Sequence, residues 1–184
     1  MQDLKDETLI RPATAEDASS LAAISLEVWL NTYIRDGVNA FFADYALEQF
    51  TTARFKDILS QENENIWVSQ NTGGIDGFLR MSSNSPPPID IVSDLELTTL
   101  YVQPRHHGRG IGKRLLETGL QFCANTGSTS TWLAVNAENE KATAFYIASG
   151  FEKIGETHFR IGDQAYPNHV LQLRLDRSDI DLVR

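Results

Sequence analysis

The residues of this 184-residue chain that could do chemistry concentrate in HHGRGIGKR, residues 106–114. Gly108, Gly110 and Gly112 carry no Cβ, so the main chain can come close to an anion, and Lys113 and Arg114 add positive charge beside it. An apolar series resumes at once with Leu115, Leu116, Gly119, Phe122 and Cys123, so the turn opens a helix. The first N–H groups of a helix have no intrahelical acceptor and its dipole is positive at that end, which suits phosphate oxygens. Two phosphate-binding patterns fail on residues. A dinucleotide fold asks for GxGxxG, and here the third glycine comes one position early. A Walker loop asks for Ser or Thr after GK, and here Arg114 follows Lys113.

The stretch before the turn is apolar but for its acids. Strand alternation places Asp94, Glu96, Thr98 and Leu100 on one face, and an acid in an apolar strand must be paired or act as a base. The one cysteine, Cys123, falls on an apolar helix face and is read as space-filling. His106 and His107 are adjacent on a turn and do not both reach one ion, and no HxxxH or CxxC accompanies them, so no metal site is expected. His158 and His169 fall on late strands and are expected at the surface.

The elements that must position these residues follow from pattern. An apolar run at Leu9 to Arg11 ends at Pro12, and Thr14 with Asp17 reads as a capping box opening a helix over 15–30. FFADYALEQF and ARFKDIL predict a second helical region, broken somewhere between 33 and 59. Two apolar runs joined by NTGG read as a hairpin. SNSPPP is a surface loop, then come a strand over 95–102, the glycine turn and a helix to about Asn125. A strand over 131–135, a helix capped by Asn139 and stopped at Gly150, and two closing strands complete the order βα(α)βββαβαββ. That is an α/β (α+β) chain in one domain over 1–184, with a mixed, mostly antiparallel sheet of about seven strands and helices on both faces.

A strand, VxPxx, a polar residue, GxGxG and a helix together resemble motif A of the GNAT superfamily of acyl-CoA-dependent N-acyltransferases. The stretch after Trp132 is similar to that superfamily's motif B, a strand followed by NxxAxxxYxxxGF, with Asn139, Ala142, Tyr146, Gly150 and Phe151 on the matching positions. The resemblance covers residues 95–175. Within the superfamily the chain is most similar to bacterial spermidine/spermine-type N-acetyltransferases, through LExxxLYV, WLxV and NEKATAFYxxxGF. It departs from them at His107, where Gln or Arg is usual, at Asn136 and Ala137, where a Trp-Glu pair is common, and at Asn168, where an acid is common.

The resemblance implies acetyl transfer from acetyl-CoA to a primary amine by direct attack. It implies that the pyrophosphate is held by His107, Gly108, Arg109, Gly110, Ile111, Gly112 and Lys113. The pantetheine arm would pair with Leu100, Tyr101 and Val102, one of whose N–H groups polarises the thioester, with Asn139 and Tyr146 beside it. Freeing an amine of pKa near 10 from its proton at neutral pH costs about 4 kcal/mol. Glu96 is the candidate general base, with Asp94 second; the other reading is a loop-bonded acid and deprotonation through water. Tyr146 is the candidate proton donor to the leaving thiolate, or else packs against the coenzyme. Trp29, Tyr33, Asp94 and Asn136 are candidate acceptor contacts; the aromatic set Trp29, Tyr33, Phe41, Phe42 and Tyr45 reads either as core or as a lid. The acceptor is a polyamine or another small amine. The alternatives are a protein, peptide or drug amine, or a sensor that binds acyl-CoA without catalysis.

With 16 Lys and Arg against 25 Asp and Glu, the net charge of -9 has the wrong sign for a nucleic-acid binder. Hydrophobic content of 41% with 22% charged residues is that of a globular chain. The N-terminal MQDLKDET is acidic without an apolar run, and no segment is long and apolar enough to span a bilayer, so no membrane association and a cytoplasmic location are expected. A homodimer is expected from the resemblance.

Overall fold

The computed structural model describes residues 8–34 and 36–175. Residues 1–7, most of the acidic N-terminal segment, lie outside them. In chain order the elements are β1 (Leu9–Pro12), a 3-10 turn (Ala15–Asp17), α1 (Ala18–Tyr33), α2 (Ala40–Gln49), α3 (Thr52–Leu59), β2 (Glu64–Asn71) and β3 (Gly74–Ser82). There follow β4 (Glu96–Val102), a second 3-10 turn (Pro104–His106), α4 (Ile111–Asn125), β5 (Ser130–Asn136), α5 (Glu140–Ala148), β6 (Glu152–Ile161) and β7 (Gln164–Arg174). The strands form one sheet in the order β1-β2-β3-β4-β5-β7-β6. It is mixed and mostly antiparallel, with β4 and β5 running parallel, which is the predicted class.

The described residues form two compact units. One holds those up to Met81 with Thr99–Gly119; the other holds Ser82–Thr98 with those from Leu120 on.

In the first unit β1 pairs antiparallel with β2, from Leu9 opposite Gln70 to Pro12 opposite Trp67. The predicted helix start is split: the Thr14 N–H donates to the Asp17 carboxylate at 2.8 Å and the Asp17 N–H to the Thr14 carbonyl at 3.0 Å, which tightens the first turn into 3-10 geometry. Helix α1 then runs three residues beyond the predicted end. Its buried face of Ala18, Leu21, Ala22 and Ile24 meets Phe55, Ile66, Val68 and Phe78. Each such large side chain contributes about 1.5–3 kcal/mol by leaving water. The undetermined break in the second helical region falls at Phe50 and Thr51. There the Thr51 hydroxyl accepts from the Arg54 N–H and caps α3, as Asn39 caps α2 through the Phe42 N–H. The predicted hairpin turns through Asn71, whose side-chain oxygen accepts from the Gly73 and Gly74 N–H groups at 2.7 and 3.1 Å. A Cβ on Gly77 would lie 2.8 Å from the Tyr101 carbonyl oxygen, so only glycine lets β3 come this close to the end of β4.

In the second unit β4 is registered on β5 at Glu96 opposite Trp132. Strand β5 pairs antiparallel with β7 from Ser130 opposite Arg174 to Asn136 opposite Asn168, and β7 in turn with β6. Helix α5 starts at Asn139, whose side-chain oxygen accepts from the Ala142 N–H at 3.1 Å, and stops at Gly150 with φ +93°. The core here includes Leu133, Phe151, Val170 and Leu171.

Candidate active site

The glycine turn is built by two left-handed residues. Gly108 has φ +78° and Gly110 φ +79°, a region that costs other residues backbone strain. Gly112 has no such need; it is the second residue of α4. The first helical bond runs from the Arg114 N–H to the Gly110 carbonyl at 3.1 Å. Among the described residues, the N–H groups of Gly108, Gly110, Ile111, Gly112 and Lys113 donate to no backbone carbonyl. A group of N–H donors without backbone acceptors therefore stands at the start of α4, the kind of feature that suits an anion. The two cations after it differ. Lys113 is 75% exposed, 3.8 Å from Glu117, whereas the Arg114 guanidinium donates to the Thr8 carbonyl at 3.1 Å. Arg109 is exposed.

His107 does not reach outward as a longer Gln or Arg would. Its Nε2 lies 2.9 Å from the Val102 carbonyl oxygen and ties the turn to the end of β4. His106 turns elsewhere, its Nδ1 buried without a partner among the described residues. No group of three His, Cys, Asp or Glu side chains able to hold a metal occurs among them. Leu100, Tyr101 and Val102 are all half-buried on β4, and the Tyr101 ring packs edge-on to Phe78 at 5.7 Å.

Glu96 opens β4 between Leu95 and Leu97, which are 2% and 3% exposed, while Asp94 lies ahead of the strand. Glu96 is half-buried and accepts a hydrogen bond from the Ser85 hydroxyl at 2.5 Å. Ser85 sits in the SNSPPP loop, whose path is set by its own N–H on the Asp94 carbonyl and by the Trp132 indole N–H on the Ser85 carbonyl. Sequence reasoning did not single out Ser85, because nothing local reveals which face an eleven-residue separation will bring together. Asp94 is exposed.

Tyr146 is 7% exposed on α5, 5.3 Å from the ring of Phe145 and 5.5 Å from that of Phe151. Burial pushes its phenol well above the ordinary range, so it stays protonated at any working pH. Asn139 uses its side-chain oxygen as the cap of α5, and Asn136 uses its own to accept from the Glu138 N–H at 2.8 Å. Opposite Asn136, Asn168 is buried with its side-chain oxygen unpartnered among the described residues.

Trp29, 3% exposed, lies at the centre of an aromatic cluster. It stacks on Tyr33 at 4.7 Å and meets Tyr45 at 5.2 Å, Phe42 at 5.9 Å and Phe50 at 6.1 Å. Burial ahead of any charge raises the Tyr45 phenol. Between the core and lid readings, burial gives Trp29 the former. His158 is exposed as expected, but the His169 side chain is only 21% exposed, because β7 is flanked by β5 and β6. Among the described residues no helix is long and apolar enough to cross a membrane.

A model of the Acetyltransferase (GNAT) family matches residues 29–151, two-thirds of the chain. An uncharacterized N-acetyltransferase of Mycobacterium tuberculosis is 27% identical over 155 residues, 84% of this chain and 96% of that one. N-acetyltransferase 8 of Rattus norvegicus is 33% identical over 106 residues, 58% of this chain and 47% of that one. Among solved structures, the PaiA N-acetyltransferase of Thermoplasma acidophilum in complex with coenzyme A superimposes with a TM-score of 0.74 at 18% identity, over 91% of this chain and 99% of that one. The yncA protein of Salmonella typhimurium with its cofactor acetyl-CoA gives a TM-score of 0.63 at 18% identity, over 93% of this chain and 95% of that one.

Proposed function

The chain belongs to the GNAT acetyltransferase family, and from that premise we propose that it transfers an acetyl group from acetyl-CoA to a primary amine on a small molecule. The observation that carries this is the glycine turn. Among the described residues, the N–H groups of Gly108, Gly110, Ile111, Gly112 and Lys113 donate to no backbone carbonyl, and they suit the coenzyme pyrophosphate.

In the proposed reaction the amine nitrogen attacks the thioester carbonyl carbon, the C–N bond forms and the carbonyl electrons move onto oxygen. An N–H at or near Tyr101 or Val102 stabilises that oxyanion, an interaction worth about 3 kcal/mol. Collapse of the tetrahedral intermediate breaks the C–S bond, and Tyr146 protonates the departing thiolate. Burial supports that role, since it keeps the phenol protonated and raises the proton affinity of a thiolate beside it. The proton leaving nitrogen goes to Glu96 directly or to water oriented by it. The Ser85 hydroxyl bond on Glu96 supports a carboxylate held in one orientation.

The acceptor is read as a polyamine or another small amine. Asn136 and Asn168, both uncharged, meet in register, whereas the spermidine/spermine-type pattern carries a Trp-Glu pair at Asn136 and Ala137 and an acid at Asn168. A protein, peptide or drug amine is the second reading, and an acyl-CoA sensor the third. The protein is proposed to act in the cytoplasm as a homodimer.

The test is a panel of amines including spermidine and spermine, with release of the coenzyme thiol as readout. Release above the rate without acceptor supports transfer and names the acceptor. Binding of acetyl-CoA by calorimetry with no release for any amine would leave the sensor, and no heat of binding would remove the whole reading.

A further inference from the structure

Pro104 lies between β4 and the glycine turn, flanked by Gln103 and Arg105, and both side chains are held by one carboxylate. Gln103 Nε2 donates to Glu27 Oε2 at 2.7 Å and an Arg105 guanidinium nitrogen donates to Glu27 Oε1 at 2.9 Å. Glu27 stands on α1, more than seventy residues earlier. The Gln103 N–H donates to the Asp76 carbonyl at 2.9 Å, so the elbow is fixed from β3 as well. Proline sets its own φ and removes an N–H, which leaves such side-chain bonds to determine how the chain leaves the strand. The Gln103 bond, ahead of the opposing effect of burial and with help from Arg105, holds Glu27 below the usual carboxylate range. The bonds are therefore charge-assisted at neutral pH.

Neither residue of the elbow belongs to the stretch of N–H donors, and Glu27 has no place in the proposed transfer. Yet these contacts fall on the elbow that joins both arms of the proposed donor site, Leu100 to Val102 on one side and the glycine turn on the other. We infer that Glu27 is a positioning residue for the acyl donor. Through Gln103 and Arg105 it sets the angle between the end of β4 and the glycine turn, and so the affinity for acetyl-CoA. This rests on the acetyl-CoA reading above.

The experiment compares wild type with Glu27→Ala, Glu27→Gln, Gln103→Ala and the Glu27→Ala/Gln103→Ala double variant. It measures the acetyl-CoA Kd by calorimetry, steady-state constants with a turned-over amine, and melting temperature. Glu27→Ala is expected to weaken acetyl-CoA binding about tenfold, with kcat and acceptor KM at saturating donor within about twofold. Glu27→Gln keeps one acceptor oxygen and should fall between. The double variant should bind no worse than Glu27→Ala, since the two act as one unit. A Glu27→Ala protein with wild-type Kd and a lowered melting temperature would make Glu27 merely structural. A loss confined to kcat would overturn the positioning role, and so would strictly additive losses in the double variant. Gln103→Ala, a change of a half-buried side chain, carries the test if Glu27→Ala does not fold. Failure of wild type itself to bind acetyl-CoA would count against the proposed function instead.

Discussion

The imidazole of His107 closes back on the strand it has just left, with Nε2 2.9 Å from the carbonyl oxygen of Val102. The side chain that would otherwise reach toward an anion thus acts as a clasp on the turn. His107→Ala should loosen the turn and weaken acetyl-CoA binding by about 1 kcal/mol, roughly fivefold, as loss of one partly exposed hydrogen bond does. Calorimetry checks this; unchanged affinity would show that the clasp does not shape the site.

Gly110→Ala tests the turn itself. Nothing lies within 4 Å of a Cβ placed there, so no clash arises, but φ is +79°. The cost is backbone strain of about 1–2 kcal/mol, relieved by a shift of the turn. Acetyl-CoA affinity should fall more than tenfold while the melting temperature drops by only a few degrees. A variant that melts far lower yet binds normally would contradict this.

Tyr146→Phe removes a hydroxyl from a ring packed against Phe145 and Phe151 and keeps the ring. If the hydroxyl protonates the thiolate, kcat should fall about a hundredfold, with acetyl-CoA affinity within about twofold of wild type. Wild-type turnover by this variant would rule out the assignment.

Acid stability reports on Asp17. The Arg11 guanidinium bonds both its carboxylate oxygens at 2.8 Å. That bond, ahead of the opposing effect of burial and with help from the Thr14 N–H, holds Asp17 down from 3.8 to about 2. A carboxyl depressed on folding stabilises the native state above its unfolded pKa and loses that contribution as pH falls through the folded one. The contribution, about 2 kcal/mol, should be present at pH 5 and gone near pH 2. In urea melts Asp17→Asn should be less stable than wild type by about that amount at pH 5 and equal to it near pH 2. A difference that persists in acid would assign the effect to packing.

Cys123 is fully buried, and burial pushes its thiol up to about 12 against the opposing contact with Thr131. Only the thiolate reacts, so a disulfide reagent at pH 8 should label no thiol in the native protein and one per chain in denaturant. Rapid labelling of native protein would mean that this part of α4 opens readily.

Much of the frame is local and could be read from the chain. The NTGG turn, the strand and helix order, the caps at Asn139 and Thr14 and the stop at Gly150 depend on residues within four positions of each other, where spacing alone decides which groups meet. The glycine turn belongs with them, although only Gly108 and Gly110 prove to be conformational requirements. The pairings that orient the candidate site are of another kind. Glu27 on Gln103 and Arg105, Ser85 on Glu96 and Asn136 opposite Asn168 join positions that no period relates. The same holds for Trp29, whose ring chemistry suits a lid and a core equally. A sequence determines which groups a chain owns and their local conformation; which of them share an electrostatic neighbourhood is decided when burial of apolar faces folds distant segments together and leaves their polar groups to find partners.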